Sequence, residues 1–405
     1  MVALPVGLGL VAAAARRAGH EVRFLDLLAA ADPGAAVGEA IRAFAPEVIG
    51  ISVRTIDDQD RQAPQFLLAR VREVVAACRA ASRAPIVVGG AGYSIFPGPA
   101  LAYLGADLGV AGDGEAAFVA LLDRLARGED PAGLPGVHTT GGGAPAAHPA
   151  DLDALPLWDP CLEAVADPAD PALWVPVQSR RGCPNDCSYC STAGIQGRTI
   201  RARSPRLVVE QIGRLAARGY RRFYFVDNSF NIPEAHGLAL CRELGALRPR
   251  VEWRCILYPH LLREELVRAM AEAGCVEVSL GFESGSPAVL RELNKRYQPA
   301  DVRAAAELLR RHGIRRMGFL LLGGPGETRA TVEESLAFAA SLDLEMLKIT
   351  VGIRIYPGTP LARRALADGV IAEGDDLLKP RFYLAPGLEP WIHERVAVAA
   401  PRPPA

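Results

Sequence analysis

Apolar and polar positions alternate along this chain in two rhythms, one fitting helices and one fitting short buried strands. The first third predicts a helix over 6–18, a strand at Glu21–Leu25, a helix over 35–44 and a strand at Glu47–Val53. It continues with a helix over 62–80, strands at Pro85–Val88 and Leu108–Val110, and a helix from Glu115. Strands that alternate with helices in this way build a parallel sheet covered on both faces, whose ligands bind at the carboxyl ends of the strands.

The same alternation resumes further on. Strands are expected at Trp174–Ser179, Arg222–Val226, Val251–Leu257, Val276–Gly281, Ile314–Leu322 and Glu345–Ile355, with helices between them. Leu261–Ala273 places Leu262, Leu266 and Met270 on one face and stops at Gly274. Thr331-x-x-Glu334 reads as a capping box. Between the two regions, Gly128 to His148 is rich in Gly, Pro and Ala and lacks apolar periodicity, the composition of an exposed connection, and His138 and His148 read as solvent-facing. The organisation expected is therefore 1–127, a doubly wound domain; 128–172, a linker; 173–365, a set of six β/α units; and 366–405, a short extension with a Pro-rich end.

Composition narrows the function. In 405 residues, half of them apolar, there is material for two or three sizeable cores. The net charge of −1 gives no electrostatic case for nucleic acid, and none is expected as a partner. No segment supplies the ~20 uninterrupted apolar residues of a membrane span. The apolar opening M-V-A-L-P-V-G-L-G-L-V-A-A-A-A has Arg16 and Arg17 after it rather than before it, so it reads as a buried helix and not a secretory signal. Five scattered cysteines (Cys78, Cys161, Cys241, Cys255, Cys275) suit a reducing compartment, so a cytoplasmic protein is expected.

The other three cysteines carry the chemistry. Gln178 to Thr192 reads Q-S-R-R-G-C-P-N-D-C-S-Y-C-S-T, with Cys183, Cys187 and Cys190 spaced C-x3-C-x2-C. Structural zinc needs four protein ligands, and the nearest spare thiol, Cys161, precedes the triad without matching spacing. A four-iron, four-sulfur cubane takes four thiolates, so three leave one iron open to a small molecule. The stretch resembles the radical S-adenosylmethionine (radical SAM) superfamily, whose CxxxCxxC loop follows the first strand of a partial barrel. That resemblance implies a 4Fe-4S cluster on Cys183, Cys187 and Cys190, and Tyr189 near the adenine of S-adenosyl-L-methionine. It implies that Asp227 and Asn228 in F-V-D-N-S-F-N accept hydrogen bonds from the methionine ammonium, and that Glu283 in G-F-E-S-G-S meets the ribose or amino acid moiety. Gly323 and Gly324 in F-L-L-L-G-G-P-G-E-T flank the adenine. Arg354 in G-I-R-I-Y-P-G-T-P points inward or into a salt bridge.

The strand ends of the first region are also unusual: S-V-R-T-I-D-D-Q with Ser52 and Arg54, G-G-A-G-Y-S with Gly89, Gly90 and Gly92, and G-D-G-E with Gly112, Gly114 and Glu115. Glycines there let backbone amides come close to a ligand. Together with the opening helix, the first two of these loops resemble the cobalamin-binding domain upstream of many radical SAM enzymes. The resemblance implies an α/β chain: a Rossmann-like (flavodoxin-like) domain, then a partial (β/α)6 TIM-type barrel. Two departures matter. No His here has Asp two before and Gly three after, so cobalamin is expected base-off, with Arg54 or a neighbour in 52–58 beneath the corrin. The family's domain begins with a strand that this sequence lacks, so the true start is expected upstream of Met1.

The resemblance implies methylation of an unactivated carbon in a small-molecule or peptide substrate, through a 5′-deoxyadenosyl radical and methylcobalamin, with flavodoxin or ferredoxin as reducing partner. The alternatives are a cobalamin-dependent radical SAM cyclase, rearrangement or oxidation enzyme, and a non-catalytic cobalamin or iron–sulfur sensor. A methylthiotransferase is disfavoured, because the three further N-terminal cysteines of that family are missing.

Overall fold

A computed structural model describes residues 4–28, 30–158 and 167–399; Cys161 lies outside the described residues. Three short strands, β1 (Ile49–Ser52), β2 (Ile86–Gly89) and β3 (Leu108–Val110), pair in parallel in that order. Their sequences, I-G-I-S, I-V-V-G and L-G-V, hold no charge, as strands covered on both faces require. Val87 packs with Leu121 of helix Gly114–Ala126, while its neighbours Ile86 and Val88 join a different cluster with Val75 and Cys78 of helix Leu68–Ala81.

Two expectations for this region change. The strand at Glu21–Leu25 does not form: a strand exists only through its ladder, and among the described residues none pairs with this stretch. Phe24 stacks on Trp158 instead, their ring centroids 6.5 Å apart. Conversely, the stretch read as an exposed connection contains a hairpin, β4 (Val137–Thr139) and β5 (Gly142–Gly143), which extends the sheet antiparallel beyond β3. Thr140-Gly141 turns it, and Gly142 takes φ +128°, the kind of backbone that tight hairpins need.

The second region is a six-stranded parallel sheet in which each strand pairs with its predecessor: β6 (Val175–Val177), then, beyond a clasp of β7 (Arg180–Arg181) and β8 (Arg201–Ala202), β9 (Arg222–Phe225), β10 (Glu252–Leu257), β11 (Cys275–Glu283), β12 (Arg315–Leu322) and β13 (Met346–Val351). It is a barrel left open between β13 and β6. The strand expected over Glu345–Ile355 breaks at Gly352, φ +80°, and β14 (Ile353–Arg354) pairs with β15 (Phe382–Tyr383).

Strand alternation decides what lines the barrel. Phe223, Phe225, Trp253, Cys255 and Leu257 are buried against the helices, so Tyr224, Arg254, Ile256, Glu277, Ser279 and Met317 face the lumen. At the amino end of the strands Arg254 lies over Trp174 and Tyr224, 4.3 and 4.7 Å from the ring centroids, and meets Glu277 at 3.4 Å. That layer plugs the floor, so chemistry is left to the carboxyl ends. The outer helices follow the apolar stripes: in Glu264–Glu272, Leu266 and Met270 are buried as expected. The capping box shifts by three residues, because Thr328 has the extended backbone of an N-cap and exchanges hydrogen bonds with Thr331. Among the described residues no helix is long and apolar enough to cross a membrane.

Candidate functional site

The cysteine loop leaves β6 and is fixed at its root by Asp227, at the end of β9. That carboxylate is fully buried and accepts from Ser179 N (2.8 Å), Ser179 Oγ (2.5 Å) and Arg180 N (3.1 Å), with Arg180 Nε 3.5 Å away. Arg180 also donates to the carbonyls of Phe230 and Ile232. Burial pushes the Asp227 carboxyl up, and Arg180 with the three donors opposes it. The expectation that Asp227 accepts from the methionine ammonium is therefore corrected: its oxygens are taken up by donors from the root of the loop. Asn228 stands closer to the loop itself, donating to Gly182 O (3.3 Å) and Gln196 Oε1 (2.8 Å), and Gln196 Oε1 also accepts from Gly182 N. Gln196 was not singled out from sequence; a polar residue six positions after Cys190 carries no spacing signal.

Gly182 is the residue this turn cannot replace. Its φ is +91°, and a Cβ there would sit 2.1 Å from Thr199 O. The clasp of β7 and β8 thus passes directly under the first cysteine. Cys183 N donates to Gly197 O and Cys190 N to Cys187 O, which folds the three thiols into one compact loop. Burial pushes the Cys183 and Cys187 thiols up, while the Lys295 ammonium works in the opposite direction on both.

Lys295 ties the loop to the end of β11. It donates to Tyr189 Oη at 3.0 Å and to Glu283 at 3.2 Å, and its side chain is 5 % exposed. Burial alone would lower the Lys295 ammonium; Glu283, Tyr189, Tyr297 and Cys187 together outweigh it and hold the group well above its usual range. Glu283 sits at φ +60°, where the β11–β12 register slips, a strained backbone of the kind concentrated at functional sites. Gly323 and Gly324 end β12, and both amides donate to Glu327 Oε2. They are pinned from behind by that carboxyl. Burial pushes it up to about 7, and its Oε1 has no partner. Glu327 was missed in the sequence, although it stands in the same G-G-P-G-E turn.

Facing this loop are the strand ends of the first sheet. Gly90 has φ +98°, and a Cβ on it would meet Val53 O at 2.7 Å; one on Gly92 would meet Thr55 N at 3.1 Å. Gly89 pairs with Ser52 across β1 and β2. These glycines let the 90–92 turn press on the 52–55 loop, and Ser94 binds the arrangement by donating to Gly90 O and accepting from Gly112 N. The result is a cavity of about 280 Å³ lined by Arg54, Thr55, Asp57 and Gly92 from the first sheet and by Tyr189 and Cys190 from the cysteine loop. Tyr356 closes one side of it.

The G-D-G-E turn is not part of that cavity. A Cβ on Gly112 would meet Ala146 at 2.6 Å and one on Gly114 would meet Val11 at 3.2 Å, so both glycines serve packing. Glu115 is buried against Arg181, and Asp113 bonds Arg181 (3.0 Å), Arg201 (2.5 Å) and His148 (3.0 Å). Gly112, Gly114 and Glu115 thus join the two regions instead of lining the cavity. His148, read as a loop residue facing solvent, is one of the partners. Arg354 takes the salt-bridge alternative, 2.8 Å from Asp57.

The residues present fit the groups such a site would hold. Three cysteines in one short loop are soft thiolate donors, with Lys295 favouring the charged form of Cys183 and Cys187. Among the described residues no three His, Cys, Asp or Glu converge at distances that would hold a single metal ion. A cubane is ligated at separate corners, so its thiolates need no common point. On the cavity wall Ala91 and Gly92, laid against the 52–55 loop, present backbone and a single methyl group, which a flat ring can approach closely.

Comparison with known proteins agrees. Residues 177–339 match the radical SAM superfamily and residues 2–122 the B12 binding domain. An uncharacterized methyltransferase of Pyrococcus horikoshii is 26% identical over 91% of this chain and 79% of its own length. Tryptophan 2-C-methyltransferase of Streptomyces laurentii is 25% identical over 89% of this chain and 71% of its own. The radical S-adenosylmethionine methyltransferase TsrM from Kitasatospora setae, solved with cobalamin and a [4Fe-4S] cluster bound, superposes with a TM-score of 0.85 at 25% identity, covering 98% of this chain and 87% of that one. With both halves matched in this order around one shared cavity, the chain belongs to the cobalamin-dependent radical SAM enzymes, whose cofactors are a 4Fe-4S cluster, S-adenosyl-L-methionine and cobalamin.

Proposed function

We propose that this enzyme transfers a methyl group to an unactivated carbon of a small-molecule or peptide substrate. The observation that carries the reading is the cavity shared by Arg54, Gly92, Tyr189 and Cys190, which brings a cobalamin-type loop and a cluster-type loop to one space. The names of the relatives, methyltransferases in each case above, support the same reaction. When bound, the cluster and S-adenosylmethionine supply reductive cleavage and the cobalamin supplies methyl relay; the protein supplies position and dryness.

In this reading Cys183, Cys187 and Cys190 hold the cluster, and their backbone is kept in place by Asp227 through Ser179 and Arg180. Tyr189, Asn228 and Glu283 orient S-adenosylmethionine, with Lys295 fixing both Tyr189 and Glu283. Gly323 and Gly324 present the end of β12 to the adenine while Glu327 pins their amides. Ser52, Arg54, Gly89, Gly90 and Gly92 cradle the corrin. The substrate enters the open lumen, against Ile256, Ser279 and Met317. We place the cobalamin domain at 1–127, the connection at 128–172, the radical SAM core at 173–365 and the extension at 366–405. A flavodoxin or ferredoxin in the cytoplasm is the proposed reductant.

Anaerobic reconstitution with iron, sulfide and cobalamin, followed by reduction in the presence of S-adenosylmethionine, tests the proposal. S-adenosylhomocysteine and 5′-deoxyadenosine formed together, with a product heavier by one methyl, are expected. A product altered in mass without methyl gain points to cyclisation, rearrangement or oxidation, and formation of neither nucleoside points to a sensor.

A further inference from the structure

Two regions that meet around a shared cavity must hold a fixed distance if a group is to pass between them. Interfaces between domains are by default mobile, so a fixed distance needs a specific device. Two buried ion clusters cross this interface. On one side the turn after β3 sends Asp113 and Glu115 to Arg181 and Arg201; Arg181 Nη1 donates to Asp113 Oδ1 and to Glu115 Oε2, each at 3.0 Å, and Nη2 reaches Glu115 Oε1. Arg201 donates to Asp113 Oδ2 and also to the carbonyls of Pro149 (3.1 Å) and Gln196 (2.6 Å). These side chains are 4 to 7 % exposed. On the other side Asp57 meets Arg354 at 2.8 Å, both 2 % exposed, and Arg354 continues to the carbonyls of Leu377 and Leu378.

The placement of these clusters is informative. Arg181 is two residues before Cys183, and Asp57 is three residues after Arg54 in the loop that lines the cavity. Each cluster therefore grips a cofactor loop at its root, and the two grips connect opposite partners: carboxylates from the first sheet, arginines from the barrel. A guanidinium binding carboxylates through a planar fork fixes angle as well as distance, which an apolar contact does not. Buried pairs of this kind add little net stability over apolar packing, and their best attested use is to specify one arrangement. Burial alone would raise Asp113; Arg181 and Arg201 outweigh it and keep its carboxyl below the usual range.

We infer that Asp113, Glu115, Arg181 and Arg201 on one side, and Asp57 and Arg354 on the other, are positioning residues that set the separation between the corrin and the cysteine loop. The inference rests on the proposed reaction for its purpose but not for its geometry. A displacement of about 1 Å between reacting groups costs on the order of 100-fold in rate, so the clamp acts on the transfer between cofactors while leaving each cofactor in place.

The test uses the full chain carrying both cofactors, as wild type, Glu115→Gln and Arg354→Gln. Iron content and the visible spectrum of bound cobalamin are expected to match wild type. Pulsed electron paramagnetic resonance between cob(II)alamin and the one-electron-reduced cluster is expected to give one narrow distance in wild type and a shifted or broadened one in each variant. Release of S-adenosylhomocysteine from S-adenosylmethionine should fall by about 100-fold, while methylation of the bound, reduced cobalamin by methyl iodide, which needs no cysteine loop, stays the same. Unchanged distance distributions at full occupancy overturn the inference, and so does loss of cobalamin or iron, which would make these residues cofactor holders. If either variant is insoluble, Glu115→Asp and Arg354→Lys decide in the same way, since they keep charge and alter reach. A wild type that releases no S-adenosylhomocysteine sinks the proposed transfer, and the distance measurement still judges the clamp.

Discussion

Replacing Asp227 with Asn separates two roles for a carboxylate in the F-V-D-N-S-F-N turn. In the structure Asp227 receives only donors: Ser179 N, Ser179 Oγ and Arg180 N, with the Arg180 guanidinium 3.5 Å away. A donor-only environment suits the ionised, acceptor-only carboxylate, and Arg180 stays charged at any accessible pH. The side chains are 0 and 2 % exposed, so no water compensates when the negative charge is removed. Breaking a buried pair from one side costs about 3–5 kcal/mol. Asn keeps one carbonyl oxygen for the two backbone amides, which places the substitution at the lower end, about 3 kcal/mol. At about 1.4 kcal/mol per factor of ten, local opening of the loop root becomes roughly 100-fold more frequent. The assay is native-state hydrogen exchange of the Ser179 and Arg180 amides in the reconstituted protein, with iron per chain measured beside it. Faster exchange by about 100-fold and partial loss of iron are expected. Full iron, unchanged exchange and weakened S-adenosylmethionine binding would refute the anchoring role and return Asp227 to the ligand-contacting role first read from its motif.

Three further outcomes follow from particular residues. Gly182→Ala places a side chain at φ +91° and a Cβ 2.1 Å from Thr199 O; strain of about 1–3 kcal/mol plus the clash should abolish stoichiometric cluster loading while the cobalamin spectrum persists, as checked by iron analysis and absorbance. Glu327 has a folded value of about 7 against an ordinary 4.5, so the neutral form's contribution is complete below pH 4.5 and is lost as pH rises through 7. Relative to Glu327→Gln, the wild type should lose stability from pH 5 to 8 by up to about 3 kcal/mol, read as a falling difference in denaturant midpoint, and parallel pH curves would contradict this. Arg54→Ala should bind cobalamin with a changed visible spectrum, because Arg54 lines the cavity and is exposed to it; an identical spectrum removes it from the corrin's surroundings.

The sequence by itself determined the two-region α/β plan and the chemistry of the cysteine loop, because both are local. Apolar alternation marks strands and helices one element at a time, and C-x3-C-x2-C brings its thiols together within a few residues wherever the chain goes. It misplaced features whose partners are distant. Glu21–Leu25 has strand-forming residues but, among the described residues, no ladder neighbour, and the Gly-rich stretch around Gly142 folds into a hairpin because the free edge of β3 accepts it. Asp227 and Glu115 read as carboxylates near a ligand, and Glu327 carries no signal of its own. Only the tertiary structure assigned their oxygens, to Ser179 and Arg180, to Arg181, and to the amides of Gly323 and Gly324. A buried carboxylate needs donors, and which donors arrive is set by how strands pair and domains meet, information that no single stretch of sequence carries.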